Sequence, residues 1–176
     1  MPKLTEEEKA LLGPLIDPFG RNMIKPEEER RLKDGESDKT EFESLIHSGE
    51  ENSNPKQFVT VTVEELSAMK LKSGRYPEKC FLWVIDAETI KIIREENRNT
   101  LRTHKPRFVC HTNLTGAGQA YVGGELYFCE DGRKIISFSS DRYGNPSDVQ
   151  WETAKKYFEK VGYVPLIDMI EFLIND

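Results

Sequence analysis

Between His111 and Tyr143 the chain gathers side chains able to move a proton and to hold a ligand. A histidine side chain ordinarily changes charge near neutrality, which makes His111 the natural candidate for a general acid, base or ligand-orienting group. Thr112 and Asn113 follow it with a hydroxyl and an amide at what reads as a strand end. Glu125 comes after a glycine pair, Gly123-Gly124, inside a second strand-like run. Glycine in a strand interior marks a bulge or a close backbone approach. Counting alternate residues puts Glu125 on one face with Tyr121, Gly123 and Tyr127, which reads as a lined groove. Glu125 could then act as a base, orient a hydroxyl or pair with Arg142. Ser140, Arg142 and Tyr143 end the following strand, where the planar guanidinium fork of Arg142 suits an anionic group.

The same residues exclude several familiar chemistries. The 115–119 loop (TGAGQ) could bring backbone amides to a phosphate, yet it has neither the GxGxxG order nor a GK[ST] ending. No serine sits in a nucleophile elbow with an ordered histidine and acid. Cys80, Cys110 and Cys129 are three in number and form no CxxC pair, so a disulfide framework is not expected. In a strand, adjacent Cys110 and His111 point to opposite faces, which argues against a zinc site.

These groups must be carried by short elements. From residue 80 onward, apolar runs alternate with turns: CFLWVID, TIKIIRE, RFVCHTNL, AYVGGELYFC and KIISFSS. They predict a meandering antiparallel sheet, with Asp131-Gly132 as the hairpin turn between the last two. The 97–107 segment reads as a longer polar loop. Ser147 and Gln150 form a capping box for a helix whose apolar face is Trp151, Ala154, Phe158 and Val161, stopped at Gly162. A last element with helical spacing at Leu166, Met169, Ile170 and Leu173 completes an α+β fold, its C-terminal helices packed on one face of the sheet.

Upstream, 58–62 (FVTVT) reads as a strand, and Thr62 to Glu65 forms a capping box for a short helix. Thr5 to Glu8 forms another ahead of Leu11 and Leu12, Gly13-Pro14 ends it, and further helices are expected after Pro26 and Asp38. The expected division is a polar helical extension over 1–56 and an α+β domain over 57–176.

The chain has 176 residues, 37% hydrophobic and 32% charged, with a net charge of −6. One ordinary core is the expectation. The acidic balance and the lack of a long basic cluster disfavour duplex nucleic acid and suit a basic protein partner, while Arg142 suits a small anionic ligand. The N-terminus lacks a basic and then apolar leader, and no run reaches the roughly 18 apolar residues of a membrane helix. The expected location is cytoplasmic, with specialised secretion left open.

The order of a histidine strand, a small-residue loop, Gly-Gly-Glu, an Asp-Gly turn and Ser-x-Arg-Tyr resembles a domain of bacterial polymorphic toxin-like proteins and plant IQ-motif calmodulin-binding proteins. The resemblance spans about 81–165 and rests on His111, Thr112, Asn113, Gly124, Glu125, Ser140 and Tyr143. The pattern departs at Asp141, Arg142 and Gly144, where it prefers Gly, His and a basic residue. It implies an effector or toxin-related domain with a small-ligand groove and an unassigned reaction. The residues by themselves leave a second reading open, a non-enzymatic acidic binding module such as an immunity or adaptor protein.

Overall fold

The computed structural model of the protein describes residues 2–19, 61–69, 81–94, 97–99, 106–108, 111–116 and 118–175; the side chains of 67–69, 94, 97–99, 106–108 and 113 are outside that description. The helices expected after Pro26 and Asp38, and most of the 58–62 strand, fall outside the described residues.

Helix α1 (Glu6–Leu12) begins where its capping box predicts. Thr5 Oγ1 accepts from Glu8 N at 3.1 Å, Thr5 N donates to Glu8 Oε2 at 2.7 Å, and Gly13 ends the helix with a positive φ. Helix α2 (Val63–Met69) uses the same device at Thr62 and Glu65, with both bonds at 3.0 Å. Strands β1 (Phe81–Ile85), β2 (Ile90–Arg94), β5 (Val122–Phe128) and β6 (Lys134–Ser137) coincide with four of the apolar runs. The Asp131-Gly132 turn joins β5 to β6 with Phe128 opposite Lys134. Gly132 there takes a φ of 89°, which side chains other than glycine rarely adopt.

The chain adopts an α+β fold with a five-stranded sheet ordered β2-β1-β5-β6-β7. The sheet is mixed, because β7 (Leu166–Asp168) runs parallel to β6. A parallel neighbour needs a long crossover, and helix α4 (Asp148–Lys160) supplies it between the two strands. The last element is therefore a strand and then a helix, α5 (Met169–Asn175). Leu166 lies opposite Lys134 in the strand, and in the helix the buried residue is Phe172, outside the expected spacing, while Ile170 is exposed.

The run RFVCHTNL does not join this sheet. Residues Pro106–Phe108 form β4 of a separate two-stranded unit with β3 (Asn97–Asn99), so the two ends of the polar segment pair antiparallel with each other. Proline has no amide hydrogen to give a central ladder, which suits Pro106 to the start of such a short strand. His111–Thr115 forms helix α3, ended by Gly116 at φ 59°.

Strand alternation sorts the core into two layers. Phe81, Trp83, Ile85, Leu126 and Ile136 face α4 and α1, meeting Trp151, Phe158 and Leu12. Leu82, Val84, Tyr127 and Ile135 face the other way, toward Leu66 of α2, Leu114 of α3 and Phe172 of α5. The two C-terminal helices thus divide between the faces. Residues 4–12 belong to the first layer: Leu4 and Leu12 are buried there and Lys160 Nζ lies 2.8 Å from Glu8 Oε1, whereas Ile16 bridges Ala120 and packs with the second.

The β1 to β2 turn is closed by Asp86, whose carboxylate accepts from Glu88 N and Thr89 N and pairs with Lys91 Nζ at 2.6 Å. Burial alone would raise its pKa, but the Lys91 ammonium and the two amides outweigh burial and hold it below the ordinary value. A lowered carboxylate pKa stabilises the fold above the unfolded value of about 3.9 and loses that stabilisation as pH falls through the folded one. Asp86→Asn should therefore lower the urea midpoint at pH 7, with its deficit shrinking as pH drops below about 4. A deficit that stays constant down to strong acid would mean that the ionised carboxylate does not stabilise this turn.

Candidate functional site

Parity along β5 holds where the strand is regular. Glu125 and Tyr127 share the face toward α2 and α3, with Tyr127 Oη donating to Glu125 Oε2 at 3.1 Å. Both are buried, Glu125 at 7% exposure. The nearby carbonyl of Gly124 takes a hydrogen bond from His111 at 2.8 Å. A carbonyl only accepts, so the proton on that bond belongs to His111 Nε2. His111 is 8% exposed and Thr112 fully buried. Helix α3 thus lays its polar start on the strand that carries Glu125, and both titratable groups sit inside the fold.

The glycine pair has a packing role. A Cβ on Gly123 would meet Tyr143 Cβ and Val84 Cγ1 at 3.2 Å, so its absence lets Tyr143 lie against the sheet. Tyr143 is itself fully buried. Its hydroxyl donates to Gly118 O at 2.6 Å and lies 2.7 Å from Thr115 Oγ1, pinning the end of α3 to the following loop.

The other expected site residues go elsewhere. Tyr121 lies just before β5 begins and packs with the α4 layer, away from Glu125 and Tyr127. Ser140 Oγ accepts from Arg142 N at 3.2 Å and Tyr143 N at 3.0 Å, which shapes the turn after β6. Arg142 engages the N-terminal segment: its carbonyl accepts from Phe19 N at 2.7 Å, and its Nη1 lies 3.5 Å from Phe19 O. The backbone of Asn113 is in α3, and its side chain lies outside the described residues. The structure therefore gathers His111, Thr112, Glu125 and Tyr143 around the α3 and β5 contact. Tyr121 lies with the other layer, Arg142 turns to Phe19, and Ser140 meets the group only through the backbone amide of Tyr143.

Ser140 instead lines an open cleft of about 520 Å³. Its walls are Phe19, residues 137–141, Gly144 and Asn145, and residues 168–170. The loop after β6 turns tightly enough that a Cβ on Gly144 would stand 2.4 Å from Ser140 O, and Asn145 takes a φ of 62°. Phe19 at 48% and Ile170 at 56% exposure give the cleft an apolar rim. Its charged lining residues, among the described residues, are Asp141 and Asp168. Asp168 is largely committed, accepting from Trp151 Nε1 and Ile170 N with Lys155 Nζ at 3.7 Å. Burial would lower the pKa of Lys155, but Glu152 at 2.6 Å and Asp168 outweigh it and hold the ammonium above its usual value. Asp141 is exposed, and its carboxylate makes no hydrogen bond or ion pair among the described residues. Phe19 gave no signal in the sequence, since only the tertiary fold carries it to the strand end.

Among the described residues no group of three or more His, Cys, Asp or Glu side chains could hold a metal ion, and no helix is long and apolar enough to cross a membrane. The role of Tyr143 can be tested apart from any ligand. Tyr143→Phe keeps the ring and removes the hydroxyl, which should cost about 0.5–1.5 kcal/mol by taking the donor from the half-buried Gly118 carbonyl. Chemical denaturation measures this, and a change within experimental error would show the pin to be dispensable. No family model, curated protein or solved structure matches the chain.

Proposed function

We propose that the protein is a non-enzymatic binding module of acidic character, of the immunity or adaptor kind, which engages a basic protein partner at the cleft beside the end of β6. The composition of that cleft carries the proposal: serine hydroxyls, an unengaged carboxylate at Asp141, an apolar rim at Phe19 and Ile170, and no lysine or arginine among the described residues of its lining. Such a surface attracts positive charge and offers apolar area to bury. The net charge of −6 adds a long-range attraction of the same sign. Amide spectra recorded during titration with short basic, neutral and acidic peptides test it. Basic peptides alone should shift resonances at 137–145 and 168–170, and Asp141→Lys should abolish those shifts. Shifts spread over every acidic turn, including Glu6 to Glu8 on α1, would reduce the effect to non-specific attraction.

A second reading is favoured by the buried polar contact of α3 with β5. In it the chain is an effector or toxin-related domain, with His111 or Glu125 handling a proton for a small ligand. A histidine and a carboxylate inside one layer are costly to bury, and such groups concentrate at functional sites. Expression in a bacterial host separates the readings. Growth arrest relieved by His111→Ala and Glu125→Ala would support the effector reading, whereas unchanged growth in every case counts against a toxin.

A further inference from the structure

Resting on the binding-module reading, we propose that the cleft receives an arginine side chain of the partner, flanked by an apolar residue that lies on the ridge of α5. The occupant must match three features. The first is an exposed aromatic ring, Phe19, at the rim. A guanidinium stacks on such a face and, being weakly hydrated, loses less on leaving water than an ammonium does. The second is the arrangement of acceptors. One available carboxylate, Asp141, is accompanied in the lining by Ser137, Ser139 and Asn145, residues that carry further acceptors. A planar fork with five donors can address several acceptors at once, whereas a single ammonium point charge is best met by clustered carboxylates.

The third feature is apolar. Ile170 and Ile174 are 56% and 75% exposed and stand four residues apart on α5, on one side of the helix. Ile170 also lines the cleft, so the ridge begins where the cleft opens. An arginine stem with an apolar neighbour would cover both surfaces. A wholly polar segment would leave the ridge bare, and an acidic one would meet Asp141 with like charge.

The test uses the full chain and four acetylated peptide amides, Leu-Xaa-Leu, with Xaa arginine, lysine, citrulline or norleucine. Citrulline keeps the shape of arginine and removes the charge. Expected are shifts at Phe19, at 139–145 and at Ile170 with the arginine peptide, and affinity weaker by about tenfold or more with the citrulline peptide. Asp141→Asn should remove most of that preference, and Ile174→Ser should weaken the arginine peptide while leaving its preference over citrulline in place. Asp141 and Ile174 are exposed, so neither change threatens the fold. Equal binding of the lysine and arginine peptides at the cleft would overturn the arginine assignment while leaving a basic partner in place. Equal binding of citrulline and arginine would overturn it as well. Failure of every peptide to bind would sink both this inference and the reading beneath it.

Discussion

Replacing Gly124 by alanine is expected to destroy the native fold, while the same change at Gly123 is expected to leave it nearly intact. A Cβ on Gly124 would stand 1.9 Å from Ser137 O, 2.7 Å from Trp83 Cζ2 and 2.9 Å from Phe138 Cα. Two of these atoms are backbone of β6 and of the residue that follows it, and no rotamer change moves them. Relief requires β5 and β6 to separate where Glu125 pairs with Ser137, with the Trp83 indole displaced as well. Overpacking against backbone at this distance should cost about 3 kcal/mol or more, a large share of the roughly 5–15 kcal/mol that holds a domain together. At Gly123 the tightest neighbours, Trp83 O, Tyr143 Cβ and Val84 Cγ1, stand at 3.1–3.2 Å, so a shift of only a few tenths of an ångström is needed. That strain is offset by about 0.5–1 kcal/mol from removing a flexible glycine from a strand interior. Urea midpoints and near-ultraviolet circular dichroism of the two variants make the comparison. Gly124→Ala with a native midpoint would mean that β5 and β6 do not approach each other in this register.

That contrast also bears on what the chain discloses before its structure is seen. Gly123-Gly124 reads as a place of close approach, but not as which backbone approaches. Features set by neighbouring residues were legible: the capping pairs Thr5 with Glu8 and Ser147 with Gln150, the Asp131-Gly132 turn, and the shared face of Glu125 and Tyr127. Tyr121 was misplaced for a physical reason. Alternation holds only while the backbone is extended, and β5 begins one residue later, at Val122. His111–Thr115 looks like a strand end by composition, but Leu114 is buried against the sheet layer that holds Leu82, Val84 and Tyr127, and a helical turn reaches it. Likewise Leu166 to Asp168 fits a helical pattern as well as a strand, and its choice depends on the α4 crossover delivering it beside β6. The cleft was the least legible feature. It joins Phe19, the end of β6 and the start of α5, three segments with no local signal in common.

Trp83→Ala is the second change expected to be severe, and its comparison with Trp83→Phe separates packing from hydrogen bonding at the centre of the fold. The indole is fully buried, stacked on Trp151 at 6.2 Å and 18°, and met edge-on by Phe158 at 4.9 Å. Its Nε1 donates to the carbonyl of Glu125 at 3.0 Å, so one side chain joins the α4 layer to the strand that carries the buried carboxylate. Truncation to alanine should cost about 3–5 kcal/mol from lost contacts and the remaining cavity. Phenylalanine keeps much of the ring and orphans the carbonyl, which should cost about 1–3 kcal/mol. Equal losses would place the whole effect in the hydrogen bond, and a negligible loss in both would remove Trp83 from the centre of the core. The milder variant has a further use, since the chain has two tryptophans and only Trp151 would remain. The Trp151 indole donates to Asp168 on the wall of the cleft. Emission from Trp83→Phe should therefore respond to an occupant of that cleft and stay constant when the buried contact of His111 with β5 is altered by His111→Gln. A response to the second perturbation alone would locate the sensitive site beneath α3 and away from the cleft.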